Sequence, residues 1–436
     1  MVVELAVDRV VAGGAGLAEH EGRKVFVPFA APWERVRARL VSSKRDYAVA
    51  RIEEVLEPSP VRVEPRCPLY GRCGGCQFQH ISSEGQLVVK KLVLADALQR
   101  IGKVFTVVRN CAGSSEPWHY RNKTQYPLAE GPRPLVGFYR AGTHQVIDAP
   151  ACLVHPPAFD RLRRDFVDAL ERSREPVYDE RSHRGNVRHL IVRGTGRELL
   201  AIVVTRTGRL APTLVESLAA SPGVAGVVQN INPDRTNRIL GPRFRVFAGR
   251  DYLEQRILGR RLRVSAPSFF QVNTAAAEAL CRKVLKHLAP TGAEHVLDLF
   301  SGVGMLTLAV AGFVRRVTGI ELDPDAVKDA QSNAAANDIP NCDFVCGDVD
   351  RAIEAVEHAD AVVIDPPRKG CAPATLDRVA ALRPKRIVYV SCHPATLARD
   401  LARLAGHGYR VRDVEPVDMF PQTFHVEAVA SLDWTG

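Results

Sequence analysis

The rhythm of hydrophobic and polar positions changes three times along the chain. Over residues 1–58 it forms short runs cut by turn residues. Val2 to Val10 alternates in part, Ala12-Gly13-Gly14-Ala15-Gly16 turns, and Lys24-Val25-Phe26-Val27-Pro28 reads as a strand, followed by Trp33 to Val41 and Tyr47 to Val55. Several short strands with glycine and proline punctuation predict a small β-barrel. Pro58 to Pro65 is a proline-rich linker, and Leu87, Lys91, Leu94 and Leu98 then recur at helical spacing within Gln86 to Ile101. Residues 118–265 alternate strand-like runs, Val187 to Val192 and Leu199 to Val204 among them, with arginine-rich loops. From Ala266 the strand runs Val296–Phe300, Val317–Glu321, Asp343–Val345, Ala361–Asp365 and Arg386–Val390 alternate with helical stretches, predicting a mostly parallel sheet. The expected architecture is multidomain: a barrel at 1–58, a central α+β domain at 59–265 and an α/β domain at 266–436.

A length of 436 residues suits such a division at ~100–200 residues per domain. Apolar residues make up 46% of the chain, ample material for buried cores. No apolar run approaches the ~18 residues of a membrane span. Met1 to Asp8 carries acids where a signal peptide needs a basic patch and an apolar stretch, so a cytoplasmic protein is expected. The formal net charge is +10, unevenly spread: zero over 1–60, +6 over 61–150, +9 over 151–265 and −5 over 266–436. A basic middle and an acidic end predict that one region grips a polyanion while another does different work. Arg35, Arg37 and Arg39 alternate along one strand and so share a face, either for phosphates or merely solvated.

The C-terminal strands end in chemistry. Asp298-Leu299-Phe300-Ser301-Gly302-Val303-Gly304 closes a strand and opens a helix from Met305 to Ala311, where glycines let backbone approach a ligand. Glu321 closes the next strand, 23 residues after Asp298, where an acid commonly accepts ribose hydroxyls. Asp348 follows the third strand, placed to read an adenine amino group, and Asp365 follows the fourth. A nicotinamide-type site is the alternative, but the loop lacks the third glycine of that fingerprint. Asp365-Pro366-Pro367-Arg368 and Ser391-Cys392-His393-Pro394 follow strands whose C-terminal ends line the ligand crevice of an open parallel sheet. Cys392, beside polar Ser391 and His393, reads as a reactive thiol. Glu427, flanked by apolar residues in Phe424-His425-Val426-Glu427, reads as a carboxyl of raised pKa suited to taking a proton.

Ten cysteines in such a chain point to metal or catalysis rather than disulfides. Cys67-x5-Cys73-x2-Cys76 lies in a loop with Gly71, Gly74 and Gly75. A zinc site completed by His80 is one reading of it, an iron–sulfur loop the other. Cys111, Cys281, Cys342, Cys346 and Cys371 read as apolar packers.

Ser391 to Asp400 and Asp418 to Glu427 resemble the two C-terminal signatures of RNA uracil-C5 methyltransferases, and Ser268-Phe269-Phe270-Gln271-Val272-Asn273 resembles that family's cofactor-side signature. The resemblance extends over nearly the whole chain. It implies a Rossmann-like methyltransferase domain that binds S-adenosylmethionine through Gln271, Phe300, Gly302, Met305, Glu321, Asp348 and Asp365. It makes Cys392 the nucleophile that adds to uracil C6, Glu427 the base that removes the C5 proton, and Asp365 the partner of the uracil edge. The barrel resembles a TRAM domain. The cysteine loop resembles the [4Fe–4S] motif of the branch acting on 23S ribosomal RNA, which implies Cys152 as fourth ligand beside Cys67, Cys73 and Cys76. His393 departs from the family, whose members often carry asparagine there.

Tyr120-Arg121-Asn122-Lys123 resembles an RNA-facing strand, making Arg121 and Lys123 the expected RNA contacts. The expected function is methylation of C5 of a uridine in ribosomal RNA by a monomer, with no membrane partner. A transfer-RNA uracil methyltransferase is the nearest rival; an amino-group methyltransferase would have no use for Cys392, nor would a non-catalytic iron–sulfur RNA-binding protein.

Overall fold

The computed structural model describes all 436 residues. Five strands, Val2–Val10, Ala15–His20, Arg23–Pro28, Arg35–Ser43 and Tyr47–Glu57, close into a barrel. Alternation is the cause: Val3, Leu5 and Val7 point inward with Val25, Val27, Val36, Ala38, Ala48 and Ala50, while their neighbours face water. The strand Ala15–His20 has no clear signal in the sequence, because its small residues continue a glycine-rich turn. Arg35, Arg37 and Arg39 do share a face, but glutamates of adjacent strands neutralise them. Arg35 meets Glu57 at 2.6 Å and Glu4 at 3.2 Å, Arg39 meets Glu53 at 2.6 Å, and Arg37 pairs with Glu54. This face is an ion-pair ladder, not a free phosphate-binding stripe.

The middle of the chain builds a seven-stranded sheet in the order Arg243–Gly249, Val224–Ile231, Leu199–Thr205, Val187–Gly194, Lys123–Ala129, Leu135–Tyr139, Val146–Asp148. Every residue of Val187–Gly194 and Leu199–Thr205 is buried, so both faces are covered. Helices Pro157–Ser173 and Pro212–Ala219 pack on one face through Phe159, Leu162, Phe166, Leu214 and Leu218. Each such side chain contributes about 1.5–3 kcal/mol by leaving water.

The third sheet has eight strands: Cys342–Cys346, Arg316–Glu321, His295–Leu299, Ala361–Ile364, Arg386–Ser391, Glu427–Trp434, Tyr409–Val417 and Val107–Val108. The first five are parallel, as the alternation predicts, and Glu427–Trp434 runs antiparallel to both its neighbours. Val107–Val108 adds to the edge of this sheet, and helix Ser83–Ala97 packs with helix Pro394–Gly406. The hairpin of Tyr252–Ile257 and Arg260–Ser265 is anchored to helix Pro324–Ala336, with Arg263 N–H donating to Asn333 Oδ1 and Ser265 N–H to Asp329 Oδ2. The hairpin places Ile257, Leu262 and Val264 in the core of the third sheet while Leu253 joins Ile191, Leu200 and Val228 of the second, so this part of the 59–265 stretch bridges the two sheets. No helix is long and apolar enough to cross a membrane.

Candidate active site

Three adjacent strands bring reactive groups to one edge of the third sheet. Ala361–Ile364 ends at Asp365, Arg386–Ser391 runs into Cys392, and Glu427 opens the strand whose Ala428 pairs with Ser391. Glu427 therefore stands beside Cys392 across the ladder. Burial pushes the Cys392 thiol up to about 11; the Glu427 carboxyl adds to that and the Arg368 guanidinium opposes it. Glu427 is only 2% exposed, and burial, then the charge of Asp365, lifts it well above the usual carboxylate range. Burial also pushes Asp365 up to about 7. A thiol and two carboxyls in one dry corner resist ionising together, so each anion that does form is a strong base or nucleophile.

His393 is the N-cap of helix Pro394–Gly406, its Nδ1 accepting from Thr396 N–H at 3.3 Å. Asparagine fills the same role, so the departure from the family preserves the cap that starts the helix behind the nucleophile. Arg368 and His425 belong to the Asp-Pro-Pro-Arg and Phe-His-Val-Glu motifs, but nothing in their spacing predicts that they meet. Arg368 donates to His425 Nε2 at 3.4 Å, and burial followed by the Arg368 charge pushes His425 down to about 4.

Helix Ser83–Ala97 holds the loop that leads to Glu427. Its buried face is Gln86, Val89, Lys90, Val93, Leu94 and Ala97, one step from the Leu87–Lys91 face that the leucine spacing predicts. Lys90 pairs with Asp418 and donates to Phe420 O at 3.0 Å. Gln86 Nε2 donates to Gln422 Oε1 at 3.0 Å, and Gln422 N–H returns to Gln86 Oε1 at 2.9 Å. These partners are over 300 residues apart in sequence, so spacing alone has no way to reveal them.

A cleft at the end of His295–Leu299 is lined by Gln271, Phe300, Gly302, Met305 and Asp365, five of the expected cofactor residues, and by Asp298 and Ser301. Phe300 sits at φ +65°, Gly302 at +55° and Gly304 at +83°, a left-handed path that only glycine adopts without strain. A Cβ on Gly302 would enter open space, so the backbone there is accessible. Glu321 holds the loop, accepting from Gly302 N–H at 2.9 Å and Asp323 N–H at 2.8 Å. Burial pushes Asp298 up to about 7, and its Oδ1 and the Ser301 Oγ have no partner. Asp348 is not brought into this lining; it is the N-cap of helix Val349–Ala352, bonded to Asp350 N–H.

Cys67, Cys73, Cys76 and Cys152 are free and line one cavity of about 420 Å³, which extends to Arg121, Lys123, Arg368 and His425. Burial pushes Cys76 up to about 11 and Cys152 up to about 12. His80 lies outside that lining, its Nδ1 bonded to the Tyr70 hydroxyl. Arg121 and Lys123 face the cavity and not an open strand; burial pushes Lys123 down to about 7. Tyr120 does not present a free stacking ring edge: its hydroxyl donates to Pro421 O at 3.0 Å. Asn122 is buried and ties Gln271 O at 3.0 Å and Thr274 Oγ1 at 3.1 Å. Cys111, Cys281 and Cys371 are buried as expected, but Cys346 is exposed.

A glycine loop, an acid and a cysteine at the C-terminal ends of a parallel sheet fit the crevice of a methyltransferase of the S-adenosylmethionine-binding class. Residues 241–433 match the sequence model of the tRNA (uracil-5-)-methyltransferase family. An uncharacterised RNA methyltransferase of Halalkalibacterium halodurans is 40% identical over 99% of this chain and 97% of its own. One from Thermosynechococcus vestitus is 40% identical over the same shares. The crystal structure of a Pyrococcus abyssi tRNA (uracil-54, C5)-methyltransferase in complex with S-adenosyl-L-homocysteine superposes with a TM-score of 0.80, at 27% identity, over 98% of this chain and 99% of that one. The chain belongs to this uracil-5 methyltransferase family, and it is an S-adenosylmethionine-dependent RNA (uracil-C5-)-methyltransferase.

Proposed function

We propose that the chain methylates C5 of a specific uridine in 23S ribosomal RNA through a covalent bond between Cys392 and uracil C6. The observation that carries this reading is the juxtaposition of the Cys392 thiol with the buried Glu427 and with Asp365, the last of which lines the Gln271–Gly302 cleft. Uracil C5 is a poor nucleophile. Addition of the Cys392 thiolate at C6, its proton passing to water, moves the C5–C6 electron pair toward O4 and makes C5 nucleophilic. Arg368 steadies the thiolate. Bound S-adenosylmethionine supplies an electrophilic methyl group at C5. Glu427 as carboxylate then takes the C5 proton, the C6–S bond breaks, and the double bond re-forms. Asp365 holds the uracil edge. The target must leave its stack to reach this corner, at a cost of a few kcal/mol that other RNA contacts offset.

The cleft suits the cofactor. Asp298 Oδ1 and Ser301 Oγ are buried polar atoms that want partners, Glu321 fixes the loop, and Gln271, Phe300, Met305 and Asp365 would enclose the ligand; Asp348 would contribute from the next strand end. Mapping 5-methyluridine in ribosomal RNA from cells with and without the protein tests the substrate. Loss of one or more sites is the expected result, and an unchanged map overturns the ribosomal assignment. Transfer RNA is the second reading, favoured by the full-length match to a tRNA methyltransferase. The chain is proposed to act as a monomer in the cytoplasm, with the barrel as a TRAM-type module. Residues 1–58, 59–265 and 266–436 are the proposed domains, with Ser83–Ala97 and Val107–Val108 packed on the third.

Cys67, Cys73, Cys76 and Cys152 are proposed to hold a [4Fe–4S] cluster. Four free thiols around one cavity fit that donor set, and burial that opposes bare thiolates at Cys73, Cys76 and Cys152 makes a metal-bearing group the natural way to ionise them. A cluster there would pin the loop to the central sheet across 75 intervening residues. Anaerobically purified protein is expected to contain about four iron atoms per chain and to absorb in the blue, and Cys152→Ala to lose both. Iron-free, colourless anaerobic protein overturns the assignment.

A further inference from the structure

We propose that the outer edge of the seven-stranded sheet is a second RNA-binding surface, gripping the phosphate backbone of the substrate away from the target uridine. It rests on RNA being the substrate, and it identifies where the positive charge of the central region is displayed. Strand Arg243–Gly249 forms that edge and pairs on one side only, with Val224–Ile231. Arg243 and Arg245 are exposed on it, and Arg245 lies over the Phe247 ring at 5.0 Å. The loop before it exposes Arg235 and Arg238. Arg235 donates to Arg181 O at 2.8 Å, which brings the turn of Arg181 and Arg184 alongside.

None of these six guanidinium groups has a carboxylate within 4.0 Å. Among the acids nearby, Glu180 pairs with His144, Asp179 accepts from Ser182 N–H, and Asp234 stands alone against four arginines of its own segment. The contrast with the barrel is decisive. There Arg35, Arg37 and Arg39 are each met by glutamate, so their field is cancelled where it arises. At the sheet edge Arg181 shares its charge with Asp179, but Arg235, Arg238, Arg243 and Arg245 make no ion pair, and these guanidinium forks, one of them over a phenylalanine ring, suit phosphate oxygens and unstacked bases. The alternative use of arginines on an open edge is to keep other strands from pairing with it.

The test replaces Arg235, Arg238, Arg243 and Arg245 together by glutamine in the full chain. Binding of in-vitro transcribed ribosomal RNA is measured across a salt series, with methylation of a short oligouridine read in parallel. The proposal expects binding to weaken about tenfold or more, and the slope of log K against log salt to flatten by about 0.7–0.9 for each phosphate no longer neutralised. Methylation of oligouridine, which reaches only the pocket, stays unchanged. The corresponding four-lysine variant, which keeps the charge, retains most of the slope. Unchanged affinity and slope, with or without aggregation, overturns the proposal and leaves edge protection. Equal loss of oligouridine methylation also overturns it, since the residues would then act through the pocket or the fold. If the four-glutamine variant does not fold, Arg243→Gln and Arg245→Gln alone read the same slope. Failure of the wild-type chain to methylate any RNA uridine would sink the functional reading, whereas the binding slope tests this surface by itself.

Discussion

Cys392→Ala is expected to lower methylation by about 10⁴-fold or more, the scale on which loss of a covalent nucleophile acts, while S-adenosylmethionine still binds. In the proposed mechanism the thiol is the group that activates C5 by adding to C6, whereas Asp365 and Glu427, both raised by burial, hold or take protons and make no bond to the ring. The measurement is methyl incorporation into ribosomal and transfer RNA, together with trapping on 5-fluorouridine-substituted RNA. Fluorine at C5 leaves no proton to remove, so the wild type should accumulate a covalent complex and the variant none. Because burial pushes the thiol up to about 11, its reactive form is the minor one at neutral pH. The thiolate fraction therefore grows about tenfold per pH unit below that value, and kcat/KM should climb as pH rises through the neutral range. Arg368→Gln should slow the reaction at neutral pH and be partly rescued in alkali. Normal turnover by the alanine variant would remove Cys392 from the mechanism.

What sequence made legible was whatever depends on local rhythm or on motifs at strand ends. The five parallel strands and the helix Met305–Ala311 follow from alternation, and Cys392, Glu427 and Asp365 do converge on adjacent strand ends. Register and long-range pairing stayed hidden. Arg35, Arg37 and Arg39 look like a cationic stripe until Glu4, Glu53, Glu54 and Glu57 are placed opposite them by strand pairing. Gln86 and Lys90 look like solvent-facing residues of an amphipathic helix, yet they are buried as partners of Gln422 and Asp418. Tyr120 and Asn122 look like RNA contacts because an aromatic and an amide beside two cations have that chemistry. In the fold their polar atoms are used to fix Pro421 and Gln271, so they shape the pocket from behind.

Glu427→Gln is expected to trap the enzyme on unmodified RNA as a covalent complex that survives denaturing electrophoresis and carries one transferred methyl group. The amide matches the carboxyl in size, so the buried packing at the start of Glu427–Trp434 is kept. It is no base for the C5 proton, so the C5 hydrogen is removed only slowly and the C6–S bond breaks late. The earlier steps should not suffer. Glu427 helps push the Cys392 thiol up, and removing that carboxyl favours the thiolate that adds to C6. Addition thus proceeds at least as fast as in the wild type while release falls by the roughly 10²–10⁴-fold typical of losing a general base. That opposite effect on two steps separates a base from a merely structural glutamate, whose loss would slow addition and release alike. Wild-type turnover by the glutamine variant would assign the proton to another group, and Asp365, raised to about 7, would be the one to substitute next, whereas a variant that neither turns over nor forms the complex would mark Glu427 as structural.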